Sequence, residues 1–234
     1  MKLYYDFHIH TCLSPCGDDD MTPNNIVNMA AISGLDVIAV SDHNSIGNAS
    51  SVIKAGKKCG IKVIPGMEVE TEEEVHILTL YPDIKSAKYV ADFVYDKLPD
   101  IENRPEIFGN QYLMDEDDNI LGTEKKLLLS PTAISLNKLF DIVTDAGGLF
   151  IPAHVDRHSY SILTNLGFIP DDLNIKYIEI SKNTSELNSF LENRTELSKY
   201  FIFRNSDAHY LENIAVKEFF LNISDISEIF TGKL

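Results

Sequence analysis

Short apolar runs alternate along the chain with amphipathic stretches that carry helix punctuation, the rhythm of an α/β fold. Leu3 to His8 reads as a strand, and Thr22-Pro23, an N-cap and first-turn pair, then opens a helix that stops at Gly34. Asp36 to Ser41 is nearly all apolar, as a strand covered on both faces is. A second helix runs from about Asn48 to Gly60. Lys62 to Pro65 and Val75 to Leu80 read as further strands, with a helix from Ile84 to Leu98 after them. Leu136 to Ala146 forms a helix capped by Ser135 and closed by Gly147-Gly148, leading into a strand at Leu149 to Ala153. Ile175 to Ile180 and Phe201 to Asn205 complete the strands, with a helical stretch around Leu187 to Leu197 between them.

Between about Asn103 and Leu129 the alternation breaks. The run Asp115-Glu116-Asp117-Asp118-Asn119 lies between two apolar patches, the pattern of an inserted hairpin with a solvated acidic tip. No repeat or linker interrupts the remainder. Because α/β barrels run to about 250 residues as one unit, a single domain over 1–234 is expected.

The histidines change this from a fold prediction into a chemical one. Six of the seven lie at or just past an expected strand end. His8 and His10 end the first strand, Asp42-His43 the second, Glu68 follows the third, His76 lies in the next, His154 ends another, and Asp207 and His209 end the last. In a parallel barrel these ends converge on one face. Residues at i and i+2 of an extended segment point the same way, so His8 and His10 can offer two imidazoles to one ion. His76 has a second reading, as a buried imidazole bonded to a backbone carbonyl, and His158 reads as a surface residue. Imidazoles mixed with carboxylates suit Zn, Mn or Fe better than Ca or Mg. Six imidazoles exceed the needs of one ion, which implies two or three divalent metals.

Charge and cysteines narrow the setting. Lys and Arg number 20 against 36 Asp and Glu, a formal net charge of −16. That balance argues against affinity gained by neutralising the phosphates of long nucleic acid. The three cysteines, Cys12, Cys16 and Cys59, form no disulfide framework. With no signal-like or membrane-spanning apolar run, the expectation is a cytoplasmic protein with no membrane partner. Nothing in the pattern specifies an oligomeric state.

His8-Ile9-His10, Ser41-Asp42-His43, Gly66-Met67-Glu68, Ala153-His154 with Arg157 three residues later, and Ser206-Asp207-Ala208-His209 occur in the order of the PHP (polymerase and histidinol phosphatase) family, which the chain resembles over nearly its whole length. The resemblance implies a distorted (β/α)7 TIM-like barrel, here with the small inserted hairpin, and metals at the C-terminal ends of its strands. It further implies a first metal held by His8, His10, Glu68 and Asp207, with Glu68 bridging to a second held by His76 and His154. A third would be held by His43, His209 and one acid of the first loop. The family register selects Asp18 before Thr22-Pro23, with Asp19, Asp20 and Cys16 as alternatives in this longer loop.

The implied activity is a metal-dependent phosphoesterase, hydrolysing a phosphate ester by in-line attack of a metal-activated hydroxide. Glu68, Asp207 and Arg157 are the candidate catalytic residues. Arg157 can clamp the phosphate with a bidentate fork or pair at the surface with Asp156, and Arg104 is a second candidate for phosphate. An insertion folded over the mouth favours a small phosphorylated substrate, a phosphomonoester first. Two other readings stand beside this one: an amidohydrolase-like C–N hydrolase, whose pattern has no place for Ser41-Asp42-His43 or Asp207 with His209, and a non-catalytic metal-binding regulatory module.

Overall fold

The computed structural model describes residues 1–182, 184 and 187–232. In order come β1 (Lys2–Ile9), α1 (Pro23–Ile32), β2 (Val37–Val40), α2 (Ala49–Cys59), β3 (Lys62–Glu70), β4 (His76–Leu80) and α3 (Ile84–Lys97). The insertion follows, with α4 (Pro105–Phe108), β5 (Tyr112–Met114) and β6 (Ile120–Thr123). The chain then continues through α5 (Leu136–Asp145), β7 (Leu149–Pro152), α6 (Ile162–Asn165), β8 (Tyr177–Ser181), α7 (Leu187–Glu192), β9 (Phe201–Asn205) and β10 (Phe220–Asn222). Among the described residues no helix is long and apolar enough to cross a membrane.

The main sheet runs β10-β1-β2-β3-β4-β7 and curls into a half-barrel. β8 and β9 form a separate parallel pair. They are tied to the ends of the curl where Val155 N–H donates to the Glu179 carbonyl and His10 N–H to the Ala208 carbonyl. The expected mixed α/β fold is therefore present, and its distortion lies in strands that depart from a parallel β/α alternation. β4 runs antiparallel to both β3 and β7, and β10 adds antiparallel to the outer edge of β1. The reversal at β3–β4 is a tight antiparallel connection that needs no crossover helix.

A bulge in β1 makes the site possible. Asp6 pairs with Ile38 and Ile9 with Val40, three steps on β1 against two on β2. Before the bulge Tyr5 and Phe7 face the interior, stacked 4.5 Å apart, with Phe7 also 5.7 Å from Phe203. After it Ile9 joins the cluster under α1 and α2, formed with Ile26, Val27, Ile38 and Val52. A strand of strict period two would have sent Ile9 inward and the histidines outward. The extra residue reverses that, seating His8 and His10 above a floor of aromatic rings whose burial contributes roughly 2–3 kcal/mol each.

Local signals explain most boundaries. Thr22 accepts from Asn25 N–H and caps α1, and Gly60 takes a left-handed φ of 77° to end α2. Two differ from expectation. β3 continues past Pro65 to Glu70, because its polar half faces the barrel mouth instead of ending in a loop. The stretch from Leu187 breaks after Glu192 into a 3-10 turn at Thr195–Lys199. At the start of α2 the Asn48 side chain, free of any capping bond, spans to the hairpin, donating to the Tyr112 carbonyl and accepting from Met114 N–H.

The insertion is the expected hairpin, β5 against β6, but its acidic tip is more than a solvated turn. Asp118 accepts from Thr22 Oγ1 and Asn24 N–H at the start of α1, while Glu116 and Asp117 pair with Lys54 and Lys58 of α2. At its other end Gly109, with φ of 100°, lies so close to the first loop that a Cβ there would meet the Pro15 carbonyl oxygen at 2.0 Å. The hairpin is thus fastened along α1, α2 and the first loop.

Candidate metal centre

Each strand delivers its ligand candidate to one buried cluster. His8, His10, Glu68, Asp207, His43 and His154 are all at most 9% exposed. β4 brings His76 to the same mouth from the opposite direction, because its first residue pairs with Glu70 at the end of β3. Two candidates require costly backbone: His154 and Asp207, just past β7 and β9, have φ of 31° and 50°.

Glu68 stands at the centre. Its Oε1 lies 3.0 Å from His76 Nδ1, 3.2 Å from His154 Nε2 and 3.3 Å from His8 Nε2. Its Oε2 lies 3.3 Å from His43 Nδ1 and 3.4 Å from His10 Nε2. Asp207 Oδ1 is 3.0 Å from His10 Nε2 and 3.3 Å from His8 Nε2. Three sets of ligand atoms lie within 4.8 Å of one another: His8, His10, Glu68 and Asp207; His43, Glu68 and His76; and His10, His43 and His209.

The imidazoles are aimed from behind. His8 Nδ1–H donates to Glu179 at 2.9 Å, leaving Nε2 to face the cluster. Glu179 also accepts from His154 N–H and from the Asn205 amide. His10 Nδ1–H donates to Ser14 Oγ, whose own hydroxyl donates to Asp42, itself bonded to Thr11. Such outer partners fix tautomer and ring angle. His8 Nε2 and His43 Nδ1, buried and facing carboxylate oxygens, have no hydrogen-bond partner among the described residues. Unpartnered lone-pair nitrogens converging on shared carboxylates fit divalent cations taking mixed N/O ligands.

Burial pushes every group here toward its neutral form, and mutual attraction decides which ones resist. The imidazoles of His76, His8 and His43 outweigh burial and hold Glu68 well below the usual carboxylate range, and His8 and His10 do the same for Asp207. Burial wins at His43, which falls well below the usual imidazole value, and at His209, which falls to about 4 with help from His10. It loses at His8, raised by Glu179 and Glu68, and at His76, raised to about 9 chiefly by Glu68.

Not every predicted residue joins. The Asp18 carboxylate belongs to none of the three sets: Oδ1 accepts from Asp20 N–H, an Asx turn that folds it back on its own loop. Asp19 binds the Asn110 amide and Cys16 is exposed. Arg104 stays exposed before α4 with its guanidinium over Phe108. Arg157 does reach the cluster, at 2.6 Å from Asp207 Oδ2, and not Asp156, which instead accepts from Ser181 and Thr184. Sequence reasoning missed Glu179, Ser14 and Tyr160. Only Glu179 left a signal, as a lone charge inside the apolar run Tyr177-Ile178-Glu179-Ile180.

The PHP domain family model matches residues 6–183. The chain belongs to the PHP domain family. Among curated relatives, the 5'-3' exoribonuclease of Haemophilus influenzae is 33% identical over 94 residues, 39% of this chain and 33% of that protein. Among solved structures, the lesion-specific endonuclease Q of Pyrococcus furiosus superposes with a TM-score of 0.73 at 18% identity, covering 99% of this chain and 55% of that one. Endonuclease Q in complex with a 27-mer duplex bearing an abasic lesion superposes with a TM-score of 0.62 at 18% identity, over 90% of this PHP chain and 50% of the other. The chain thus spans about a third to a half of these proteins, and the structural likenesses show a shared fold.

These likenesses overturn the expectation of a small phosphorylated substrate with no long nucleic acid, since the same fold holds a duplex in endonuclease Q. The formal charge counts Asp6, Asp42, Glu68, Glu179 and Asp207, which are buried, and Glu116 and Asp117, which pair with Lys54 and Lys58, so it does not describe the field at the mouth, where bound cations would offset Glu68 and Asp207.

Proposed function

We propose that this PHP domain is a metal-dependent phosphoesterase that hydrolyses phosphodiester bonds of nucleic acid. The observation that carries the reading is the placement of Glu68, one buried carboxylate whose two oxygens face five imidazoles from two sides. That geometry suits cations sharing a ligand. His8, His10, Glu68 and Asp207 would hold one ion, Glu68 with His76 and His154 a second, and His43 with His209 a third. Zn, Mn and Fe match the donor set. Bound cations of this kind lower the pKa of water toward neutrality and draw charge from phosphoryl oxygens.

The chain's own groups supply the rest. Glu179 and the Ser14–Asp42 pair keep His8 and His10 in the tautomer that presents Nε2. Arg157, 43% exposed with one guanidinium nitrogen on Asp207, retains free donors to bind the non-bridging oxygens of a phosphodiester. The nucleic-acid substrate class is supported by the names of the exoribonuclease and endonuclease relatives.

The test is cleavage of labelled single-stranded RNA, single-stranded DNA and duplex DNA with and without an abasic site, with bound metal quantified on the same preparation. Cleavage that requires Mn or Zn and is lost on chelation and in Asp207→Asn is the expected result. Two or three bound ions with every oligonucleotide left intact would overturn the reading.

A further inference from the structure

Tyr160 occupies a position that ion binding does not account for. Its φ of 54° places a bulky side chain in the left-handed region that favours glycine. Its carbonyl accepts from His76 N–H at 2.9 Å, and its ring lies on the His76 ring, centroids 4.7 Å apart and planes inclined by 19°. Burial does not repay that backbone, because Tyr160 is 47% exposed. Its hydroxyl makes no hydrogen bond to any described residue. The result is an aromatic surface at the mouth, backed by a candidate ligand and three residues along the same loop from Arg157, which reaches Asp207.

We propose that Tyr160 stacks on the nucleobase next to the scissile phosphodiester. The proposal rests on the nucleic-acid reading above and gives it a specificity element. The phosphate is placed by the cluster and Arg157, and the adjoining base by the phenol ring. Every base has a π face, so a stacking platform accepts nucleotides without reading their sequence. Backing by His76 couples base binding to the centre: a base on Tyr160 holds its phosphate within reach of the ligands. The substrate class is therefore a phosphodiester carrying an intact base beside the cleaved bond.

The test uses the metal-loaded chain and two substrates, a dinucleotide and the same diester with abasic sugars, compared across Tyr160→Phe, Tyr160→Leu and Tyr160→Gly. Glycine suits the positive φ and keeps the loop on its course without the ring, while leucine keeps bulk over His76 without a π face. The expected result is a preference for the dinucleotide in wild type and Tyr160→Phe. That preference falls roughly 5- to 150-fold in Tyr160→Leu and Tyr160→Gly, through KM. An unchanged preference in the two variants overturns the proposal. If both substrates lose kcat together, the ring serves only to position His76, and the proposal is again overturned. A wild type that cleaves both diesters equally defeats stacking alone, whereas one that binds ions and cleaves neither defeats the phosphodiester reading beneath it.

Discussion

The β1 side and the β7 side of the candidate centre are built on different terms. On the β1 side His8 and His10 are fully buried, and each ring is gripped from behind, by Glu179 and by Ser14 with Asp42. On the β7 side His154 sits at φ 31° with Nδ1 unpartnered, and the loop beyond it carries the half-exposed Arg157 and Tyr160. One side is fixed before any ion arrives. The other keeps strained backbone and open side chains where a substrate would enter, which is where a fold stores conformational freedom. The difference is between rings aimed from behind and a ring whose loop is left open.

Breaking the residue common to both sides has the largest effect. Glu68→Gln leaves the volume intact but removes the shared charge, and we expect metal content to fall and cleavage to drop by at least about 10³-fold, read by metal analysis and single-turnover kinetics. Damage confined to the β1 side is milder: Glu179→Gln weakens metal affinity roughly 10- to 100-fold, and activity returns at high Mn concentration. Failure of added metal to restore it would place Glu179 outside the scaffold that aims His8. Arg157→Lys tests the β7 side. Loss of the fork should cost about tenfold in kcat/KM with metal content unchanged, and a fall in bound metal would merge the two sides into one.

Proton release gives the finest distinction. His76, raised to about 9, must lose a proton to hold an ion, while His209, at about 4, carries none near neutrality. Metal uptake at pH 7 should therefore release protons, and apparent affinity should climb as pH rises through about 9. In the metal-free chain the sign is opposite: the stability owed to His76 is complete below its ordinary value of 6.5 and lost as pH rises through about 9. Calorimetric titrations in buffers of different ionisation enthalpy measure the release, and uptake with none would remove His76 from the ligand set.

The strands and helices were legible because their signals are local: Thr22-Pro23 for α1, Gly60 for the end of α2, Ser135 for the start of α5. The convergence of His8, His10, His43, Glu68, His76, His154, Asp207 and His209 was legible from their placement at strand ends and from motif order. What escaped depends on distance. No neighbour of Ile9 announces the bulge that turns the histidines inward, and β4's reversal is invisible in a run that reads the same in either direction. Ser14 and Asp42 acquire their function only when the first loop folds over β2. Asp18 stands apart from the three sets because register along the chain says nothing of where an Asx turn sends the carboxylate. The acidic tip looked solvated because its partners, Thr22, Lys54 and Lys58, lie far away in sequence.

The contact between His10 and Asp207 joins residues 197 positions apart. At about 5–20 residues per second, a ribosome needs roughly 10–40 s to make the second after the first. Within that interval His43, Glu68, His76 and His154 are made as well, so the set that contains His8, His10 and Glu68 lacks only Asp207. That set of ligand atoms is thus completed only when β9 meets β1 and the Asp207 carboxylate reaches His8 and His10.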